Sequence, residues 1–408
     1  MLVLPLEIWV EVFSFAVWVP YALGNLFPIH IISGGDEQLR VLYRRYYYQS
    51  LLTKSRLCIV CKAWRELVLP LLYLDIRLSF DRDNDNIDKI LLDFAQRRLL
   101  GSEEVDGTDV EGGPKPVGWY TKRLDISWSY IQRSESFSGL VGFLQTCPRL
   151  SIFIVDGWLD KVEASRFNQL CDNLVNKPLL RLRCTHYGHI PLRRLYVIPS
   201  LTTLHLPFRS SVPETAIVLH NVTSLALDMA PSGVPIPLRF PSLQRLSVSN
   251  LAGPPMGSRM DNENLLAPLL PFFEQNCQGV QALHFDYRYS LSVPHEETRW
   301  DGLVLLLRQT PDVEEMILDY EYLFGVVPEL QKAPMTLPRV RKLGLVCANA
   351  PRLTFIPNIE AIFPNLGTIQ FFRSVGRSLG MDNLTDLEIA TSRGIVIEDW
   401  RGQYLNQV

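Results

Sequence analysis

No strong charge of either sign marks this sequence: 40 Lys and Arg stand against 43 Asp and Glu over 408 residues, a formal net charge of −3. That balance removes the electrostatic reason to expect DNA, RNA or an anionic membrane as the main partner. Cysteine is scarce too, 7 in all, and the odd scattered set excludes a disulfide framework and fits a reducing compartment. There is no G-x-x-x-x-G-K-S/T phosphate loop, no G-x-G-x-x-G fingerprint and no H-E-x-x-H pair. The N-terminus, MLVLPLEIW, lacks the basic region of a signal peptide and leads into Glu7 and Glu11. What is present in quantity is apolar material, 47% of the residues, enough for a sizeable core.

One uncharged stretch, Val12 to Gly35 (VFSFAVWVPYALGNLFPIHIISGG), has the length of a membrane span, which needs about 20 apolar residues. Pro20, Gly24, Asn25 and Pro28 would break such a helix and leave backbone groups unsatisfied in lipid. A soluble chain in the cytoplasm or nucleus is therefore expected. A repeat scaffold associated with a membrane through residues 12–32 is the rival, and the sequons Asn221-Val-Thr and Asn383-Leu-Thr would matter only there.

The dominant signal is an internal repeat, apolar-x-x-apolar-x-apolar. It occurs at Leu201/Leu204/Leu206, Val222/Leu225/Leu227, Leu243/Leu246/Val248 and Val280/Leu283/Phe285. It returns at Val313/Met316/Leu318, Val340/Leu343/Leu345, Leu366/Ile369/Phe371 and Leu384/Leu387/Ile389, so successive gaps are 21, 21, 37, 33, 27, 26 and 18. Upstream copies stand at Leu150/Phe153/Val155 and Leu179/Leu182/Cys184, with Leu124/Ile126 and Ile76/Leu78 before them. Amphipathic segments such as SESFSGLVGFLQTCP, EASRFNQLCDNLVNKP, DNENLLAPLLPFFEQNC and RWDGLVLLLRQTP lie between copies and read as helices. Pro148, Pro199, Pro241, Pro311, Pro338 and Pro364 stand just before strands, where proline ends a helix and leaves the chain extended. Short strands alternating with helices predict parallel strands side by side, and units unable to bury their own apolar face stack into a solenoid. The pattern resembles leucine-rich repeats in an irregular form without the Asn that regular copies carry. Glu103 to Gly118, EEVDGTDVEGGPKPVG, has no periodicity and reads as a flexible surface loop over 101–118.

Cys58-x-x-Cys61 raises the question of metal or redox chemistry. A zinc site needs four ligands, but the next cysteine is Cys147 and there is no second C-x-x-C. If the stretch is helical, Cys58 and Cys61 share a face with Leu57, Val60 and Trp64.

The same segment resembles the second half of an F-box. LPLEIWVEVFSF supplies Leu4, Pro5, Glu7, Ile8, Val12 and Phe13, and LCIVCKAWREL supplies Leu57, Val60, Cys61, Lys62, Trp64, Arg65 and Leu67. The resemblance implies a small helical module that docks on the Skp-type adaptor of an SCF ubiquitin ligase. It assigns adaptor contacts to Leu4, Pro5, Ile8, Val12, Phe13, Leu57, Val60 and Trp64, places the Val60/Trp64 face partly in the module's core, and makes Cys61 a buried small side chain. The 59 positions from Pro5 to Trp64 exceed the family's pattern, so an insertion over about 18–50 is expected, in a layout that resembles F-box proteins of mushroom-forming fungi. The expected fold is thus α/β: an all-helical F-box-like module over 1–71, then a leucine-rich solenoid with a curved parallel sheet over 72–408.

No catalytic group, metal or cofactor is expected. Gly376-Arg-Ser378-Leu-Gly380 matches a nucleophile elbow, but the last histidine, His295, lies upstream of it. Cys184, His186 and His189 offer three ligands in one short loop and no fourth. The x residues of the strands should line the concave face and hold a target protein: His205, Asp228, Arg245, His284, Asp286, Asp319 and Lys342, with Gln370. Arg288 and Glu321, in the matching DYRY and DYEY strand ends, should face each other on that surface, and no nucleic acid is expected there.

Overall fold

The computed structural model describes residues 5–17, 37–80, 87–97, 115–128, 136–157, 164–184, 198–207, 217–228, 238–249, 270–286, 306–319, 335–346, 359–372, 384–398 and 404. The chain divides into two compact units. One takes Met1–Phe27 and Leu39–Leu206, the other Pro28–Gln38 and Pro207–Val408, so the division between them falls within the repeats.

The first unit opens with helices. Pro5, with φ −54°, starts α1 (Leu6–Ala16), since its fixed φ suits a helix entry and its missing N–H costs nothing there. Helix α2 (Glu37–Cys58) and α3 (Lys62–Leu72) follow. The C-x-x-C pair therefore straddles a helix break and does not lie on one face. Cys58 ends α2, Ile59 and Val60 form a turn, and Cys61 caps α3 in extended conformation, its Sγ accepting from the Trp64 amide at 3.5 Å. Arg65 Nε clamps the junction by donating to the Cys58 carbonyl at 3.0 Å. The described part of the expected insertion, residues 37–50, is thus the body of α2.

Strands β1 (Asp75–Phe80), β2 (Arg123–Trp128), β3 (Ile152–Gly157), β4 (Arg181–Cys184) and β5 (Thr203–Pro207) pair in chain order, all parallel. Their register puts Ile76, Leu124, Phe153, Leu182 and Leu204 in one buried row, because strand side chains alternate and the apolar positions must share a face. Between them run α4 (Ile87–Gln96), the short α5 (Val117–Tyr120), α6 (Ser136–Gln145) and α7 (Ala164–Val175). Phe94 of α4 meets Phe143 of α6 at 6.0 Å between ring centroids. Val117 and Gly118, placed by sequence in the surface loop, are buried instead. A Cβ on Gly118 would stand 2.8 Å from the Thr146 carbonyl oxygen, so α5 seats against the end of α6 only through a glycine.

In the second unit β6 (Ile217–Val218), β7 (Ser224–Asp228), β8 (Leu238–Arg239), β9 (Arg245–Ser249), β10 (Ala282–Asp286), β11 (Glu315–Asp319), β12 (Lys342–Val346), β13 (Thr368–Phe371) and β14 (Val396–Glu398) are joined by α8 (Leu270–Asn276) and α9 (Leu384–Ser392). β7 and β9 through β14 pair in order, all parallel, and align Leu225, Leu246, Leu283, Met316, Leu343, Ile369 and Ile397 in a buried row. Among the described residues, 12 strands follow this mixed α/β, solenoid-like pattern. In two successive short repeats the described connections contain β6 and β8, which pair with each other. Buried Asn276 of α8 fastens that layer, accepting from the Phe240 amide at 2.6 Å and donating to the Leu238 carbonyl at 2.9 Å.

One repeat copy is not a strand. Leu384/Leu387/Ile389, read as a strand, is helix α9, and the last strand is β14. Its i, i+3 apolar spacing suits a helix equally well, and Gly394 with φ +72° lets the Ile395 amide return to the Ala390 carbonyl at 2.9 Å, a helix stop that only glycine adopts without strain.

Candidate partner-binding surfaces

Helix α1 carries two apolar stripes. Trp9, Phe13 and Val17, four apart, form one: Phe13 and Val17 are buried, and Trp9 packs at 5.2 Å and Phe13 at 4.9 Å from the Trp64 ring of α3. Ile8, Val12 and Phe15 form the other, and it faces out, with Phe15 85% exposed. Ile59 and Val60, in the turn before α3, are exposed as well, and so is Leu52 of α2. An outward apolar stripe on a short helix is what an interaction surface needs.

These positions correct several residue assignments. Phe13 is 2% exposed and belongs to the inside, because three rings close on one another there. Val60 is 58% exposed and takes no part in the core, since the helix break turns it outward. Cys61 is exposed, as a cap residue outside the helical barrel. Pro5, Ile8 and Val12 are exposed as expected, and Leu57 and Trp64 are half-buried. Leu4 lies outside the described residues.

Helix α2 holds the module to the first strand, a role with no mark in the sequence. Ser50 Oγ donates to the Val17 carbonyl at 2.6 Å, closing the end of α1. The Tyr47 hydroxyl donates to the Asp75 carbonyl at 3.3 Å and accepts from the Arg77 amide at 3.2 Å, while the Arg77 guanidinium lies 4.6 Å from its ring centroid. Burial, with Asp75 adding to it, pushes the Tyr47 hydroxyl well above the ordinary phenol range, so it stays a neutral donor.

The residues expected from sequence to meet a target divide into three rows by strand register. Arg245 and Lys342 head their strands, in line with Ser224, Ala282, Glu315 and Thr368; Arg245 is exposed and Lys342 half-exposed, the latter 3.6 Å from the Glu398 carboxylate. His284 falls in a middle row with Ala226, Ser247, Ile317, Gly344 and Gln370. Asp228 and Asp286 align with Ser249 at the strand ends, and Asp319 aligns with Val346. Arg288 and Glu321 lie outside the described residues.

The expectation of an open polar surface is corrected for the middle row. His205, His284 and Gln370 are all buried. His284 Nδ1 and the Ser247 hydroxyl sit 3.0 Å apart across β9 and β10. A Cβ on Gly344 would stand 2.8 Å from Ile317 Cγ1 and overlap the Phe372 ring, so Phe372 covers this row at Gly344. Strand alternation sets these residues opposite the leucine row but cannot show what packs against them.

In the first unit the equivalent face is a buried ionic cluster. Arg77 grips Asp75 through two nitrogens, at 3.2 and 2.9 Å; Arg123 reaches Asp75 at 3.6 Å and Asp125 at 3.2 Å. Arg181 and Arg183 stand in the same rows two strands on. Burial pushes the Asp75 carboxyl up to about 7, although Arg123 pulls the other way, since removing a carboxylate from water costs more than its pairs return. Burial likewise pushes Arg181 down to about 10, with the like charges of Arg123 and Arg183 adding to it.

Lys177 is buried and caps α6, donating to the Leu144 carbonyl at 2.6 Å and the Cys147 carbonyl at 3.0 Å. Burial pushes the Cys147 and Cys277 thiols up to about 12, which holds them protonated at neutral pH. Among the described residues no group of three His, Cys, Asp or Glu is placed to hold a metal, and no helix is long and apolar enough to cross a membrane. Residues 18–36, His186, His189 and Ser378 lie outside the described residues.

No family model and no curated protein matches the sequence. Among solved structures the chain is similar to one from the crystal structure of the Rad7 and Elc1 complex in yeast, at 12% identity over 86% of this chain and 94% of that one, with a TM-score of 0.31. A score that low carries no argument about function.

Proposed function

We propose that the chain is a non-catalytic substrate receptor of a cullin-type ubiquitin ligase, its helical module docking on a Skp-type adaptor and its repeats holding a target protein. The observation that carries this reading is the second apolar stripe of α1: Ile8, Val12 and Phe15 stay in water while Trp9 and Phe13 already satisfy the module's core. It joins the Leu-Pro, Val-Cys-Lys and Trp-Arg elements that resemble an F-box. The receptor acts in the cytoplasm or nucleus by proximity, raising the effective concentration of a target lysine near the ubiquitin-carrying enzyme. It contributes no acid, base, nucleophile or cofactor.

The test is copurification with a Skp-type adaptor. Wild type forms a stable one-to-one complex, and Ile8→Asp/Phe15→Asp weakens it by at least about a hundredfold, as loss of central apolar anchors does. Phe13→Ala acts differently: it loosens the module by about 3–5 kcal/mol, read in thermal unfolding without any adaptor. Failure of the wild type to bind the adaptor overturns the receptor reading.

A further inference from the structure

A groove of about 460 Å³ lies on the first unit where the chain enters its strands, lined by Lys122, Pro148, Arg149, Ser151, Pro178 and Leu180. Lys122, Ser151 and Leu180 are the residues immediately before β2, β3 and β4, so the sheet register fixes their spacing. Their ladder groups are in use: the Ser151 amide donates to the Lys122 carbonyl at 2.9 Å and the Leu180 amide to the Ser151 carbonyl at 2.8 Å. The Ser151 hydroxyl also donates to the Lys122 carbonyl, at 3.1 Å. The charge available to a ligand is therefore that of the exposed Lys122 and Arg149 side chains.

Trp119 of α5 extends this charge. The Arg149 guanidinium lies 5.1 Å and the Lys115 ammonium 4.8 Å from its ring centroid, so one indole engages two cations. Among the described residues no carboxylate pairs with Lys115, Lys122 or Arg149, whereas Arg77, Arg123, Arg339 and Arg393 each have one. Three unneutralised cations on a chain of net charge −3 form a local feature, not a property of the whole surface.

We propose that this groove binds a short acidic segment of a partner protein, its carboxylates meeting Arg149 and Lys122 and an adjacent apolar side chain resting on Pro148, Pro178 and Leu180. Charge complementarity selects an anion, and the apolar lining selects a peptide over a bare ion. Nucleic acid fits less well, because Trp119 already engages two cations and offers no stacking platform. The inference goes beyond the adaptor reading and stands without it, since the groove shares no residue with the helical module.

The experiment is fluorescence anisotropy on the full-length protein with a labelled peptide repeating Asp-Leu-Glu, against its Asn-Leu-Gln counterpart and a single-stranded oligonucleotide. Expected are binding of the acidic peptide alone, weakening as salt is raised, and a loss of about tenfold in Lys122→Ala/Arg149→Ala, two exposed charge contacts together. Arg149→Glu should lose more, and Arg239→Ala, in the other unit, nothing. Equal binding of the neutral peptide, preference for the oligonucleotide, or an unchanged affinity in the double variant would falsify the proposal. A further variant replaces Glu103, Glu104, Asp106, Asp109 and Glu111 by their amides. If the acidic peptide binds only then, the chain's own acidic segment is the occupant and the partner proposal falls.

Discussion

The two units build the same face of the same strand pattern from opposite chemistry. In the first, the x positions of β1, β2 and β4 carry Asp75, Arg77, Arg123, Asp125, Arg181 and Arg183, with Ile152 and Ile154 of β3 between them. In the second, the middle row reads Ala226, Ser247, His284, Ile317, Gly344 and Gln370, with Phe372 lying against Gly344. The leucine rows behind both are alike and fully buried. The apolar positions therefore specify the fold, while the x positions are free to carry charge or apolar surface as long as each buried group finds a partner.

The largest effect expected from breaking this contrast lies in the first unit. Arg123→Met leaves Asp75 and Asp125 short of a cation and should cost about 3–5 kcal/mol in urea unfolding. Replacing Asp75, Arg77 and Arg123 together by apolar residues of similar size should cost less than that single change. A triple variant worse than the single one would show that the cluster itself stabilises the face.

The pH dependence is next. The Asp75 carboxyl, ordinarily near 3.8, is raised to about 7, so between those values the folded chain keeps a proton the unfolded chain has released. Stability from this group is complete below about 4 and is lost as pH rises through about 7. The stability of wild type minus that of Asp75→Asn should therefore shrink between about pH 4 and above pH 7, as followed by thermal melts. A difference that is constant or grows rejects this picture of the site.

The smallest effect belongs to the second unit. Gly344→Ala pushes a methyl group against Ile317 and the Phe372 ring and should cost about 1–3 kcal/mol. Phe372→Ala should relieve that clash, so in a double-mutant cycle the two changes are less than additive. Additive costs would mean Phe372 does not cover the row.

Much of the fold was legible in the chain. The last two apolar positions of every repeat copy from Ile76 to Phe371 lie on a strand, and the register aligns them in rows, because a period of two leaves only one face for them. The copy at Leu384 misled because its spacing serves a helix as well. In the helical module, sequence located α1 and the start of α3 but misjudged Phe13, Val60 and Cys61. Which side of α1 is buried depends on Trp64, more than fifty positions away, and on the break at Ile59 and Val60. Tyr47 and Ser50 sat in what read as an insertion, and nothing local marks them as the ties to β1 and α1.

By itself, then, the sequence determined the repeat, the strand register and the apolar rows, because those follow from side-chain alternation along a single segment. The tertiary structure alone decided which x residues are covered, which stripe of α1 remains in water and which cations meet at Trp119. Each of these depends on neighbours brought in from distant parts of the chain, and burial and charge pairing are properties of those neighbours.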